Sequence, residues 1–463
     1  MAQAMSSVTL PEVAWHGEAV TIGDVSAALS GIRRKFAQSD AEGEEHPHAR
    51  NCVMTLVTVA VDSADEARAQ RASVAIAAHH PHMAIVVAEE LNVRTGRIDA
   101  SIATHQLSPS STVHAECEVV SLHVQGAAGE HLAALVDPLL LSGVPVYLWW
   151  LDTPPFGAKE LLDAIRICDA LVVDSARFDR PHQSFLGLAE LALSAHRHLG
   201  VADFQWARLE AWREAIAEFF EPKERRSYLA GIGEVGIDYV GEGRGNRVAA
   251  ALLIGWLASA LGWKIKRAVG GPGGVVVAHF EVEGGRQLEV AFRPVPKADL
   301  AQGEVSAIRV GGASAGSTFQ FSVQRDPERQ HRLTSEVGPT ELRYRHRPGG
   351  DDDAGLEVAH RSAVRDREFL VRNREALHHT VTGDLPGESD GQSSTVLSHN
   401  RRRGENHVLL TMIDIAGAGT LRHVQRVADE DEATLLLKLL ATGAHDPVYM
   451  RSLAAAADLM RAL

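Results

Sequence analysis

The stretch YVGEGRGN at 239–246 is the tightest glycine pattern in the chain. It stands between a strand-like and a helix-like run, where backbone N–H groups and the helix dipole favour an anion. Gly241, Gly243, Gly245 and Asn246 are therefore candidate anion-binding residues. A dinucleotide fingerprint would need glycine at 246, where Asn stands, and the Gly-Lys-Ser/Thr of a Walker loop is missing. The competing reading is a turn feeding a helix capped by Asn246. A second cluster, GGPGG at 270–274, reads as a hairpin connection. Histidines group at His46 and His48, at His79, His80 and His82, at His196 and His198, and at His378 and His379. None has HExxH spacing or a companion cysteine pair, so surface or helix-end histidines are expected. Cys168 precedes an apolar strand and reads as a core thiol rather than a nucleophile. Glu89-Glu90 and Asp351 to Asp353 lack metal-ligand spacing, and there is no GxSxG elbow. No catalytic residue, metal site or cofactor is predicted.

Tryptophan is the other informative residue. Aromatics are 5% of the chain, yet seven are Trp. Trp149 and Trp150 are adjacent at the C-terminal end of a strand, so they point to opposite faces. One should enter the core and the other a helix layer or cleft, since open α/β sheets bind ligands at this end. Trp206 and Trp212, six apart in WARLEAWR, do not share one stripe of a continuous helix. Trp256 and Trp263 flank WLASALGW. Core burial is the commoner fate of each indole.

The elements that must position these residues alternate. Cys52 to Val61 is a β-branched run of the kind buried on both faces of a sheet. A helix at 63–80 capped by Asp62 or Ser63 follows, then strands at 82–88, 97–103 and 113–124. Further helices are expected at 24–36, 130–141, 159–167, 183–198 and 206–220, with strands at 144–151 and 170–174. Residues 1–222 thus read as an α/β domain with a mixed, mostly parallel sheet. Residues 223–346 read as an α+β domain: a strand at 232–240, a helix at 246–261, then strands between glycine turns, with Gly284-Gly285 the strongest hairpin signal. Residues 347–404 form a flexible charged insert with a helix expected at 362–378. Residues 405–463 hold a strand at 408–415 and C-terminal helices, the first from 429 to a stop at Gly443, the second capped by Asp446 with Pro447 in its first turn.

Composition bounds the function. The chain has 463 residues, 45% hydrophobic, with a formal net charge of -14. It can bury a sizeable core, and most of its surface would repel nucleic acid and anionic membranes. The Arg401 to Arg403 cluster is the local exception. The first residues carry no basic-then-apolar signal, and the apolar run at 249–263 is too short to span a bilayer. Three unpaired-looking cysteines argue against a disulfide framework. A cytoplasmic protein is expected.

The ordered segments ARNCVMTLVTVAVD, HPHMAIVV, ECEVVSLHV, DPLLLSGVPVYLWWLDTPP, ALVVDSARF, DFQWARLEAWREAIAEFF and ALLIGWLASALGW together resemble the glucose-6-phosphate dehydrogenase assembly protein family, OpcA. The resemblance runs over about residues 45–325 and more loosely to EATLLLKLLATGAHDPVYMRSLAAAADLM. It implies a non-catalytic partner of glucose-6-phosphate dehydrogenase, in the oxidative pentose phosphate pathway, that assembles and allosterically activates the enzyme. On that reading Trp149, Trp150, Asp174, Ser175, Trp206, Trp212 and Arg213 are the candidate partner-binding residues. The alternative is a sugar-phosphate- or nucleotide-binding enzyme or sensor using the Gly241–Asn246 loop, and a small-molecule effector is compatible with both.

Overall fold

The computed structural model describes residues 12–43, 52–325 and 407–463, with short breaks at 78, 91–92, 94, 107–115, 127–128, 130, 195–198, 242–244, 298–299, 315, 417–418, 428–429 and 444. The insert 347–404 with its expected helix lies outside the described residues. So do Gly243, His46, His48, His196, His198, His378, His379, Asp351 to Asp353 and Arg401 to Arg403.

The chain begins β1 (Glu12–Gly17), α1 (Ile22–Gly43), β2 (Met54–Ala60), α2 (Ser63–Ala77), β3 (His82–Glu90), β4 (Arg97–Gln106) and β5 (Glu116–Gln125). It continues α3 (Leu132–Val136), β6 (Val146–Trp150), α4 (Lys159–Ala164), β7 (Ala170–Val173), α5 (Pro181–Leu193), β8 (Gly200–Asp203) and α6 (Phe204–Arg208). Then come α7 (Glu210–Phe220), α8 (Arg226–Ala230), β9 (Ile232–Val240), α9 (Val248–Leu261), β10 (Lys264–Gly270), β11 (Val276–Glu281) and β12 (Gln287–Val295). The last elements are β13 (Val305–Ser314), β14 (Ser317–Arg325), β15 (His407–Ile415), β16 (Gly419–Val427), α10 (Glu432–Thr442) and α11 (Pro447–Ala462). Two compact units result. Of the described residues, the first holds those within 12–207 and 432–450; the second holds those within 208–431 and 451–463.

The first unit is built on a sheet ordered β1-β4-β5-β3-β2-β6-β7-β8. β5, β3, β2, β6, β7 and β8 are parallel; β4 and β1 close one side antiparallel. All seven residues of β2 are buried, as its β-branched composition demands of a strand covered on both faces. Numbered by appearance, the parallel strands run 3-2-1-4-5-6, the order of doubly wound nucleotide-binding sheets. Their switch point lies between β2 and β6. One face carries α2, whose N-terminus is capped by the Asp62 side chain, and α10, whose Leu435, Leu436 and Leu439 share a core with Ala69, Ala72, Ile76 and Trp149.

The second unit is an α+β fold on a sheet ordered β10-β11-β12-β9-β13-β14-β15-β16, antiparallel except for the β12–β9 pair. β11 alternates buried and half-buried residues, the period-2 pattern of a sheet with one covered face. The turn into β12 runs through Gly284 and Gly285, at φ 78° and 75°, backbone that a side chain would strain. Phe219 and Phe220 at the end of α7 pack on Phe319 and Phe321 of β14; Phe219 stacks on Phe321 with centroids 4.6 Å apart. α9 is apolar throughout and meets α11 at Gly255, where a Cβ would stand 2.5 Å from the Ser452 carbonyl oxygen.

Several elements depart from expectation. The single helix expected at 206–220 is two, because the chain breaks at Leu209. The helix expected at 130–141 shortens to α3 and a 3-10 turn at Asp137–Leu139, with Pro138 in its first turn. β1, β8, β10 and β16 were not expected. β1, β10 and β16 are edge or near-edge strands, polar enough to mask the alternation that marks a buried strand.

Candidate functional site

A parallel sheet of this order binds ligands at the carboxyl ends of its strands, beside the switch point. There β2 runs out into Val61 and Asp62, and β6 into Leu151. A pyrophosphate would need free N–H groups at the start of α2. Instead Asp62 Oδ1 accepts from the Asp65 N–H at 2.8 Å, and the first turn carries Asp65 and Glu66. Arg68 pairs with Asp65 at 2.9 Å and with Glu432 at 3.0 Å, and donates to the Leu151 carbonyl at 3.4 Å. Glu432, at the head of α10, also lies 3.6 Å from Arg177 beyond β7. The chain's own charges thus occupy this edge. At the end of β3, burial and the neighbouring Glu160 push the Glu89 carboxyl up to about 7.

A buried polar cluster sits further along the same edge. Asp203, at the end of β8, is fully buried. Its carboxylate accepts from Ser175 Oγ at 2.6 Å, from the Ser175 N–H at 3.0 Å and from the Gln205 N–H at 2.9 Å. Tyr449 donates to it at 3.4 Å. Burial pushes Asp203 up to about 6, against the lowering effect of the Ser175 hydrogen bonds. Asp174 caps the turn that carries Ser175, accepting from the Ala176 N–H. Trp206 donates its indole N–H to Asp446 at 2.9 Å and packs its ring 5.5 Å from Tyr449, while the other Asp446 oxygen caps α11. The cluster ties α11's first turn to the end of β8.

Of the seven candidate partner-binding residues, Asp174, Ser175 and Trp206 meet in this cluster. Trp149 and Trp150 lie in β6, 1% and 7% exposed; Trp149 packs 5.6 Å from Phe204, and its N–H finds no acceptor among the described residues. Trp212 and Arg213 belong to the second unit, with Trp212 buried and Arg213 half-buried on α7. His82, expected at the surface, is fully buried. Its Nδ1 is 2.8 Å from the His80 carbonyl, and burial holds it down at about 4. The thiols of Cys117 and Cys168 are buried and pushed up to about 12.

At the end of the glycine stretch, Asn246 Oδ1 accepts from the Val248 N–H at 3.0 Å, one residue ahead of Arg247, the N-cap of α9. Gly241 donates to the Val295 carbonyl at 3.3 Å. Beside Asn246 the sequence reading missed Arg247. It is 8% exposed, donating Nε to the Tyr239 hydroxyl at 2.9 Å and NH2 to the Gly274 carbonyl at 3.4 Å. Among the described residues, no three His, Cys, Asp or Glu side chains gather to hold a metal ion, and no helix is long and apolar enough to cross a membrane.

The second unit also carries a groove the sequence reading missed. α7, α8 and α9 enclose an open hollow of about 570 Å³. Phe220, Leu229, Trp256 and Leu261 line it, and Glu214, Glu218 and Glu221 stand along one wall. The signal was present: a helix with no charged residue over 248–261 needs cover on every face.

Residues 199–453 match the C-terminal domain, and residues 73–190 the N-terminal domain, of the family described as a glucose-6-phosphate dehydrogenase subunit. The chain belongs to this OpcA family. Among curated relatives, the OxPP cycle protein OpcA of Nostoc punctiforme is 33% identical over 202 residues, covering 43% of this chain and 42% of that protein. The OpcA of Synechococcus elongatus is 34% identical over 200 residues, covering 42% and 43%. The matched stretch spans less than half of the length of these relatives. Among solved structures, UDP-N-acetylglucosamine 3-dehydrogenase GnnA from Acidithiobacillus ferrooxidans aligns at 10% identity and a TM-score of 0.33, over 87% of this chain and 95% of that one. That likeness is too slight to carry an argument.

Proposed function

We propose that this chain is a non-catalytic assembly factor and allosteric activator of glucose-6-phosphate dehydrogenase, acting in the cytoplasm in the oxidative pentose phosphate pathway. One observation supports it above the others: in a chain of a dehydrogenase-subunit family, the sheet edge that would hold a dinucleotide is filled by Asp62, Arg68 and Glu432. A filled cradle suits a protein that acts on an enzyme rather than as one. An activator works by binding one state of its partner more tightly than another. Tenfold activation needs about 1.4 kcal/mol of such preference.

Within this reading Trp149, Trp150, Asp174, Ser175, Trp206, Trp212 and Arg213 act mostly from beneath the contact surface, since all but Arg213 are buried. The deciding experiment titrates the dehydrogenase with the chain while following activity and particle mass together. The reading expects a larger particle and a lower half-saturation for substrate. Unchanged mass and unchanged kinetics would refute it.

A metabolite effector at the Gly241–Asn246 loop is the second reading. The buried Arg247 favours it, because among the described residues both hydrogen-bond partners of its cation are neutral. A thermal shift with glucose-6-phosphate, 6-phosphogluconate or NADPH would support it, and no shift with any of them would end it.

A further inference from the structure

The groove between α7 and α9 has a floor and a wall of different chemistry. α9 is covered where Leu252, Leu253 and Ile254 are fully buried and where Gly255 admits α11. Its remaining face, with Trp256 half-buried and Ala260 exposed, opens into the groove. Of the seven tryptophans, five are buried; Trp256 and Trp15 keep part of their surface in solvent. The opposite wall is a single stripe of α7. Glu214, Glu218 and Glu221 follow one another at spacings of four and three, with the exposed Ala217 between them. Like charges at these spacings repel along an isolated helix. They also give the groove's mouth a negative potential, on a chain whose net charge is already -14.

A small-molecule pocket of this size is lined by apolar groups with a few polar ones converging on the ligand. Here the carboxylates stand along one wall beside an apolar floor, the arrangement that receives an amphipathic helix. We infer that this groove docks a helix of the dehydrogenase whose apolar stripe enters between α7 and α9 and whose Lys or Arg residues lie along Glu214, Glu218 and Glu221. The inference rests on the assembly-factor reading and names the partner's chemistry at a defined surface.

The test uses the full chain, the purified dehydrogenase and three variants, each checked for wild-type circular dichroism and melting. Ala260→Trp fills the groove from an exposed position, Glu218→Lys inverts the wall, and Glu190→Lys inverts an exposed carboxylate of the first unit. Binding is measured at low and moderate salt, and the mass of each chain alone is measured by light scattering. Ala260→Trp and Glu218→Lys should each weaken dehydrogenase binding about tenfold. Glu218→Lys should also flatten the salt dependence, and Glu190→Lys should bind as wild type. If wild type binds and activates while both groove variants bind within about twofold of it, the groove inference is overturned and the assembly-factor reading stands. If wild type does not bind, both fall. If the groove variants change only self-association of the chain, the groove is a copy-to-copy contact and the inference is wrong.

Discussion

In the first unit, charged side chains line the switch-point edge of the sheet. α10 lays Leu435, Leu436 and Leu439 beside α2, and its Glu432 pairs with Arg68 and lies near Arg177. In the second unit, α9 carries no charged residue, yet α7 and α8 stand far enough from it to leave a hollow of about 570 Å³. The unit with the strand order of a nucleotide-binding sheet has ion pairs along its switch-point edge, and the second unit carries an open groove. The difference separates architecture from function: a strand order inherited by a sheet says where a ligand could bind, and the side chains at its edge decide whether one can.

Five substitutions and a pH series would break or sharpen this contrast. The largest effect is expected where α9 is already covered. Gly255→Leu would drive a side chain into the backbone of Ser452 and Ala456 and should cost about 3 kcal/mol in chemical denaturation. Nearly as much, about 3 kcal/mol, is expected from Leu436→Ala, which opens a cavity in the closed layer of the first unit. An equal melting temperature for wild type and Leu436→Ala would mean that α10 does not seal that layer.

A smaller effect should separate two tryptophans of the first unit. Trp206→Phe leaves an Asp446 oxygen without its indole donor, whereas Trp149→Phe removes an N–H that has no acceptor among the described residues. The first should cost about 1 kcal/mol more than the second. The reverse order would show that the Trp206–Asp446 bond does not hold α11 in place.

The pH series addresses Glu89. Its folded value of about 7 lies above the ordinary 4.5, because burial and Glu160 disfavour the charged form. Below about 4.5 both folded and unfolded chains hold the proton. Between about 4.5 and 7 the unfolded chain releases it first, so stability falls as pH rises through that window. Glu89→Gln should remove this part of the slope. His82 works in the opposite sense, losing stability as pH falls from 6.5 towards 4, so the difference between wild type and Glu89→Gln isolates the carboxyl. The smallest effect, within about 0.5 kcal/mol, is expected for Ala260→Leu on the open face of α9. A cost comparable to that of Gly255→Leu would show that the face is covered after all.

Much of the framework was legible because it is written locally. The run at 54–60 is β-branched without polar interruption, so it reads directly as a strand covered on both sides. Asp62 and Asp446 each precede a helix and cap it as their chemistry predicts. The candidate site was less legible. Trp206 and Asp446 are 240 residues apart, and nothing in either neighbourhood points to the other. His82 looked like one of a run of surface histidines, because its burial comes from the strands beside it in the sheet rather than from its neighbours in sequence. The charged edge strands β10 and β16 were hidden by the composition that suits a sheet's margin.

By itself the sequence determined the periods, the caps, the turns and an acidic net charge, because each depends on side chains within one or two turns or on a simple sum of charge. Only the tertiary structure decided that α10 closes the edge beside α2, that Arg247 is buried, and that one face of α9 stays open. A hydrophobic pattern states which residues seek cover. Which of them find it depends on elements that arrive from far along the chain.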